Sequence, residues 1–228
     1  MRKIKFKKAN SWVSLHKALN ITKGQKGWIY RGHSDAEWHL IPKVGRPPYS
    51  DDSETEKKVF DFWHRECANN IDAYKRSTIE LLAMGQHHGL ATRLLDWSYS
   101  PLTAAYFASL NAKGTDAAIY IYRPSQQVSR EVDPFTITGV PIYKPGSIGE
   151  RIISQQGLFT VHSEPERCMA TSLQPKDELI KVIISRDYVE ELHFDLDRYG
   201  VNTMTMFPDL DGVARFTDWA VVNASQWK

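Results

Sequence analysis

The chain has 228 residues, 42% hydrophobic and 25% charged, with a net charge of +2. That balance fits an ordinary globular protein and is too neutral to signal nucleic-acid or membrane binding through charge alone. No apolar run reaches membrane-spanning length, no apolar segment follows the basic start "MRKIKFKKANSW", and the two cysteines, Cys67 and Cys168, are too few for a disulfide framework. The expectation is one domain over residues 1–228, with reduced thiols and a cytoplasmic setting.

In chain order, "NSWVSLHKALN" reads as a short helix with Ser11 as N-cap and Trp12, Leu15, His16 and Leu19 on one side. "WIYRGH" reads as a strand and "IPKVGRPPYSDDSE" as a loop. From Thr55 to about Met84 the spacing of Val59, Phe60, Trp63, Cys67, Ile71 and Tyr74 predicts helix. "TRLLDWS" reads as a strand, inside an extended run that begins at Gly85. Ser100 and Pro101 then start a helix that ends near Gly114. "DAAIYIYR" is a strand, followed by a long irregular excursion through "GVPIYKPGS". "RIISQQGLFTVH" starts helical and ends strand-like, and "ELIKVIIS" is the strongest strand pattern. Ser185 caps the helix "RDYVEELHFDLDRY", which stops at Gly200, and "MFPDLDGVARFTDW" reads as a Pro-started helix. Strands and helices alternate without a βαβ rhythm, so the expected class is α+β with a mixed, mostly antiparallel sheet. G-x-G-x-x-G and Walker A loops are absent from the sequence.

Arg31 is the first residue that could carry chemistry. A guanidinium on an apolar strand suits a carboxylate or a phosphate, so it either pairs with an acid of the chain such as Asp96 or waits for a ligand. Gly32 beside it allows close backbone approach. The densest polar cluster is "QHHGLATRLLDWS", with Gln86, His87, His88, Thr92, Arg93, Asp96 and Ser98. In an extended chain His87 and His88 point to opposite sides, and Asp96 and Ser98 share a face. No histidine or carboxylate spacing of a metal site occurs there. "RIISQQGLFT" adds Gln155, Gln156 and Phe159, amides and a ring that could meet a substrate, and "PKDELIKVIIS" puts Glu178 at a strand mouth. No serine or cysteine lies in a G-x-S-x-G-like nucleophile context.

Tyr30-Arg31-Gly32, "QHHGLATRLLDWS", "AAYFA", "QQGLFT" and "FPDLDG" together resemble the FRG family, over about residues 28–218. His88 stands where that family usually has an aromatic residue. A more distant resemblance is to ADP-ribosyltransferases of the Arg-Ser-Glu type, in the order "YRG", "LLDWSYSPLTAAYFA", "DELIKVII". That likeness implies NAD as substrate, with Arg31 on the phosphates or ribose, Ser98 on the nicotinamide side and Glu178 against the developing oxocarbenium. Tyr30, Gly32, His87, His88, Asp96, Trp97, Gln156 and Phe159 would complete the NAD site. It further implies a toxin or phage-defence effector acting on a protein or nucleic-acid acceptor, with an antitoxin as a further partner. Lys176 stands two residues before Glu178, where such enzymes carry Gln or Glu, and "DWSYS" replaces Ser-Thr-Ser. The alternative is a non-catalytic nucleotide- or nucleic-acid-binding domain that uses the basic start, Arg46 and Arg93 on phosphates.

Overall fold

The computed structural model describes residues 4–49, 53–67, 75–112, 114–146 and 154–223. Its strands are β1 (Lys5–Ala9), β2 (Ile29–His33), β3 (Leu94–Ser98), β4 (Ala117–Arg123), β5 (Gln127–Val128), β6 (Ile142–Tyr143), β7 (Gly157–Val161) and β8 (Glu178–Ile184). Its helices are α1 (Trp12–Leu19), α2 (Ser53–Cys67), α3 (Thr78–His87), α4 (Pro101–Ser109), α5 (Arg186–Arg198), α6 (Thr203–Met206) and α7 (Leu210–Val222). The strands form one sheet in the order β1-β8-β4-β2-β3-β7-β6-β5. Only β1–β8 and β5–β6 are parallel, so the fold is α+β with a mixed, mostly antiparallel sheet.

Strand alternation sorts the core into two faces. Tyr30, Ile119, Ile121, Ile180, Val182 and Ile184 pack under α1, α4 and α5. Ile29, Leu95, Trp97, Tyr120, Tyr122 and Leu179 face the other way and are covered largely by loop residues such as Ala36, Leu40, Val140 and Met169. A third cluster joins Phe60 of α2 and Ile79 and Leu82 of α3 to Leu94, Phe159 and Val161. Helix α5 buries Tyr188, Val189, Leu192 and Leu196 along one stripe, each contributing about 1.5–3 kcal/mol. Gly32 sets how closely α4 can approach, because a Cβ there would lie 1.9 Å from the Ala104 carbonyl oxygen.

Several boundaries differ from the sequence pattern, each for a local reason. The run from Gly85 to His87 is helical, not extended, because α3 continues through Gly85, where Leu90 packs into the space a Cβ would take. Gly89, at φ +96°, is the true terminator: its amide bonds the Gln86 carbonyl and the Leu90 amide bonds the Gly85 carbonyl, a Schellman arrangement. A new start at Ser77, whose amide donates to the Glu80 carboxylate at 2.8 Å, makes α2 and α3 separate helices. Ile71 and Tyr74 of the expected stripe lie outside the described residues, as do Arg2, Lys3 and residues 151–153. His16 is exposed while Leu15 and Ala18 are buried. Helix α4 ends at Ser109 and not near Gly114. Helix α7 starts with Asp209, whose carboxylate accepts the Gly212 amide at 2.8 Å, and Pro208 stays outside it. The irregular excursion contains β5 and β6, two residues each and too short to show a period.

Arg93 is wholly internal. Its Nε and Nη2 donate to Glu56 Oε2 at 2.9 and 2.7 Å, its amide to Glu56 Oε1 at 2.8 Å, and its guanidinium lies 4.6 Å from the Phe135 ring centre. Removing one partner would leave a buried charge alone. Glu56→Ala is therefore expected to cost about 3–5 kcal/mol of stability in chemical denaturation. The double variant Glu56→Leu/Arg93→Met is expected to cost less than the sum of its single substitutions.

Candidate functional site

Strands β2 and β3 are five residues each, yet they pair at one position only, Tyr30 opposite Ser98. Each pairs along its whole length on its other side, β2 with β4 and β3 with β7. The sheet is thus split between β2 and β3, and a cleft of about 620 Å³ opens along the split. Arg31 spans it: Nη1 donates to the Asp96 carbonyl at 2.7 Å, a backbone group that a continuous ladder would have paired with β2. The Asp96 carboxylate lies 3.6 Å from the same nitrogen and accepts from Gln86 Nε2 at 2.9 Å. Gln86 in turn accepts from the Thr92 hydroxyl, which fixes the orientation of its amide.

On the far side Arg31 Nε donates to His33 Nε2 at 3.0 Å, so His33 is neutral with its proton on Nδ1. Burial and the adjacent Arg31 charge push the His33 pKa down to about 3. Nδ1 makes no well-formed hydrogen bond, although the Trp38 backbone lies near enough to favour its proton. Burial lowers the pKa of Arg31 as well, opposed by Asp96 and reinforced by Arg46. Two guanidiniums therefore feel each other across one cleft that holds one carboxylate, Asp96, among its lining residues. Among the described residues Nη2 of Arg31 has no partner, and the Arg46 side chain donates from Nε to the Pro42 carbonyl at 3.4 Å and makes no ion pair.

Of the residues expected from sequence, the cleft gathers Tyr30, Arg31, Gly32, His87, Asp96, Trp97 and Ser98. Four lie elsewhere. Glu178 is on the opposite face: the register aligns Arg31, Tyr120 and Lys181, and Glu178 is an odd number of residues from Lys181. It pairs with Arg123, whose guanidinium covers Trp28. Phe159 is buried against α3, a core position. His88 caps α3 and is exposed, its ring edge-on to His87 at 5.1 Å. Gln156 is an exposed turn residue at φ +49°, and Gln155 lines the cleft in its place. The Ser98 hydroxyl donates its proton to the Gln155 carbonyl at 2.6 Å and accepts the Ser100 amide at 2.9 Å. Gly32 makes room for α4 and not for a ligand. Arg93, enclosed by Glu56, is not free to bind phosphate.

Sequence reasoning missed His33, Trp38, His39, Phe107 and Phe207 as lining residues and placed Arg46 only in the alternative. Phe107 belongs to "AAYFA" and Phe207 to "FPDLDG", so the motifs themselves carried that signal. The motifs "YRG", "QHHGLATRLLDWS", "AAYFA", "QQGLFT" and "FPDLDG" each supply at least one residue to this cleft, and "DELIKVII" supplies none. Among the described residues no group of three or more His, Cys, Asp or Glu could hold a metal, and no helix is long and apolar enough to cross a membrane.

The FRG domain model matches residues 26–117, which take in the Tyr-Arg-Gly strand, the Gln-His-His-Gly cluster and α4. The match stops before "QQGLFT" and "FPDLDG". No curated protein and no solved structure matched the chain.

His33 and the buried His162 both stay neutral in the folded protein until about pH 3, whereas in the unfolded chain they take protons near pH 6.5. The unfolded state binds more protons across that window, so stability is full above it and falls on acidification. The fall approaches about 1.4 kcal/mol per pH unit per histidine. Urea unfolding between pH 7 and 5, above the carboxylate range, is expected to show this decline. His162→Gln is expected to make it shallower.

Proposed function

We propose that the cleft binds a pyrophosphate-bearing nucleotide, NAD foremost, and that the protein is an NAD-dependent ADP-ribosyltransferase-like enzyme. The observation that carries the binding part is the convergence of Arg31 and Arg46 with aromatic walls in one cleft of about 620 Å³. That size lies within the range of small-molecule sites. A guanidinium held by His33 and the Asp96 carbonyl, with Nη2 still unpartnered among the described residues, is preorganised for a phosphate oxygen.

In the transfer itself the bond between ribose C1′ and the nicotinamide nitrogen breaks. The electron pair leaves with neutral nicotinamide, and the ribosyl cation is taken by an acceptor nucleophile that gives up its proton. A carboxylate near C1′ would stabilise that cation electrostatically. Glu178 is not among the residues that line the cleft and does not meet this need, whereas the Asp96 carboxylate lines it. The reading therefore assigns the stabilising role to Asp96. A pyrophosphate on Arg31 would compete for the cation that now holds Asp96 and leave its carboxylate facing the substrate. The acceptor and the effector setting, toxin or phage defence, belong to this reading and are tested with it.

A purely nucleotide-binding domain is the second reading. It is favoured by the engagement of Asp96 with both Gln86 and Arg31. One experiment separates the two. NAD is titrated by calorimetry, and nicotinamide release is followed with lysate protein or RNA as acceptor. Arg31→Ala is expected to weaken NAD binding by at least about tenfold, the loss of one charge-assisted contact. Asp96→Asn is expected to lower nicotinamide release by about two to three orders of magnitude with binding retained, while Glu178→Gln leaves both unchanged. Binding without release in the wild type would favour the second reading, and no binding at all would sink both.

A further inference from the structure

The wall of the cleft opposite α4 comes from the segment after β2, and it includes Trp38. The Trp38 side chain is unusual here. It is 53% exposed, while Trp28 and Trp97 are below 8%. An exposed indole on a loose loop would mean little, but this backbone is fastened down by the sheet. The Tyr120 hydroxyl of β4 donates to the Trp38 carbonyl at 3.1 Å. Lys181 of β8 donates from Nζ to the Ala36 carbonyl, and the Ala36 amide donates to the Asp116 carbonyl at 2.6 Å. On the C-terminal side the Leu40 carbonyl accepts the Met169 amide at 2.9 Å, and Leu40 itself is fully buried. The ring packs against that of His33, with centroids 6.1 Å apart and planes at 63°.

Arg46 lies on the same wall and is positioned in the same manner. Val44 and Gly45 just before it are buried, and a Cβ on Gly45 would sit 1.8 Å from the Pro165 carbonyl oxygen. The chain is thus clamped where Arg46 leaves it for the cleft. An indole and a cation on backbone that is already fixed meet a ligand without further ordering of the chain. Flat apolar area beside a cation matches a base attached to phosphate.

We infer that Trp38 is a stacking platform for the purine base of a nucleoside diphosphate whose phosphates are held by Arg31 and Arg46. This deepens the pyrophosphate-nucleotide reading and rests on it. It adds the class of the non-reacting end of the ligand, a purine nucleotide, and assigns residues 34–46 to its recognition. Base stacking on an aromatic side chain is worth about 1–3 kcal/mol, hence roughly five- to 150-fold in affinity.

The test compares two probes on the full chain by calorimetry, ADP and inorganic pyrophosphate, with NAD as control. Trp38→Ala is expected to weaken ADP and NAD five-fold or more and leave pyrophosphate affinity unchanged, while Trp38→Phe keeps most of the ADP affinity. Arg46→Ala is expected to weaken both probes alike. Thermal unfolding of each variant shows whether it is folded; Trp38 is half exposed, so its midpoint is expected to stay near wild type. If Trp38→Ala weakens neither probe, or both equally, the stacking assignment is overturned while the pyrophosphate reading stands. If wild type binds neither ADP, NAD nor pyrophosphate, that reading falls and takes the stacking platform with it.

Discussion

The site depends on a ladder that stops after one pair. Strands β2 and β3 meet at Tyr30 and Ser98 and then diverge, so the sheet must be closed by something other than backbone hydrogen bonds. Arg31 does this with its side chain, reaching the Asp96 carbonyl that the split leaves without a β2 partner. Gly32, next along the strand, lets the backbone of α4 press against β2 and hold that half of the sheet in place. The Tyr-Arg-Gly tripeptide therefore has a separate physical task at each position. Tyr30 keeps the last ladder pair, Arg31 bridges the gap, and Gly32 admits the helix.

Arg93, which is buried, and Arg31, which is part-buried, differ when their donors are followed. Around Arg93, Glu56 takes Nε and Nη2, the Pro134 and His162 carbonyls lie 3.3 and 3.4 Å from Nη1, and Phe135 covers the ring plane. Each of its three nitrogens thus has an acceptor. Around Arg31 the partners are a neutral imidazole, a carbonyl and a carboxylate at 3.6 Å that is 63% exposed. Arg31 is therefore less completely paired than Arg93, whose carboxylate partner is itself buried. Arg46 nearby makes the local field more positive still.

Elements with strong local signals were legible in the sequence. The apolar runs "DAAIYIYR" and "ELIKVIIS" became β4 and β8, and Ser100 with Pro101 starts α4 by a side-chain cap at 3.2 Å. What was hidden depended on tertiary contact. Gly85 reads as a breaker until Leu90 is seen to fill its place, and the two-residue strands β5 and β6 exist only through their neighbours. In the site, the motif residues were legible because polar clusters among apolar strands stand out. Trp38 and Arg46 lie between motifs, in a loop whose rigidity comes from β4, β8 and the Pro165 turn, and no local pattern reports that.

Glu178 shows why order along the chain is weaker evidence than register across the sheet. Arg, Ser and Glu follow one another in the order an Arg-Ser-Glu site would require, but a strand has two faces and a shift by one residue exchanges them. Here the pairing of Arg123 with Glu178 turns Glu178 to the face opposite Arg31, where the two side chains satisfy each other. On β3 the same alternation sends Leu95 and Trp97 into the core and leaves Asp96 at the split, beside the cation and the amide that hold it. Asp96 is thus held by the Gln86 amide at 2.9 Å and by the Arg31 guanidinium at 3.6 Å, the same guanidinium that bridges the split.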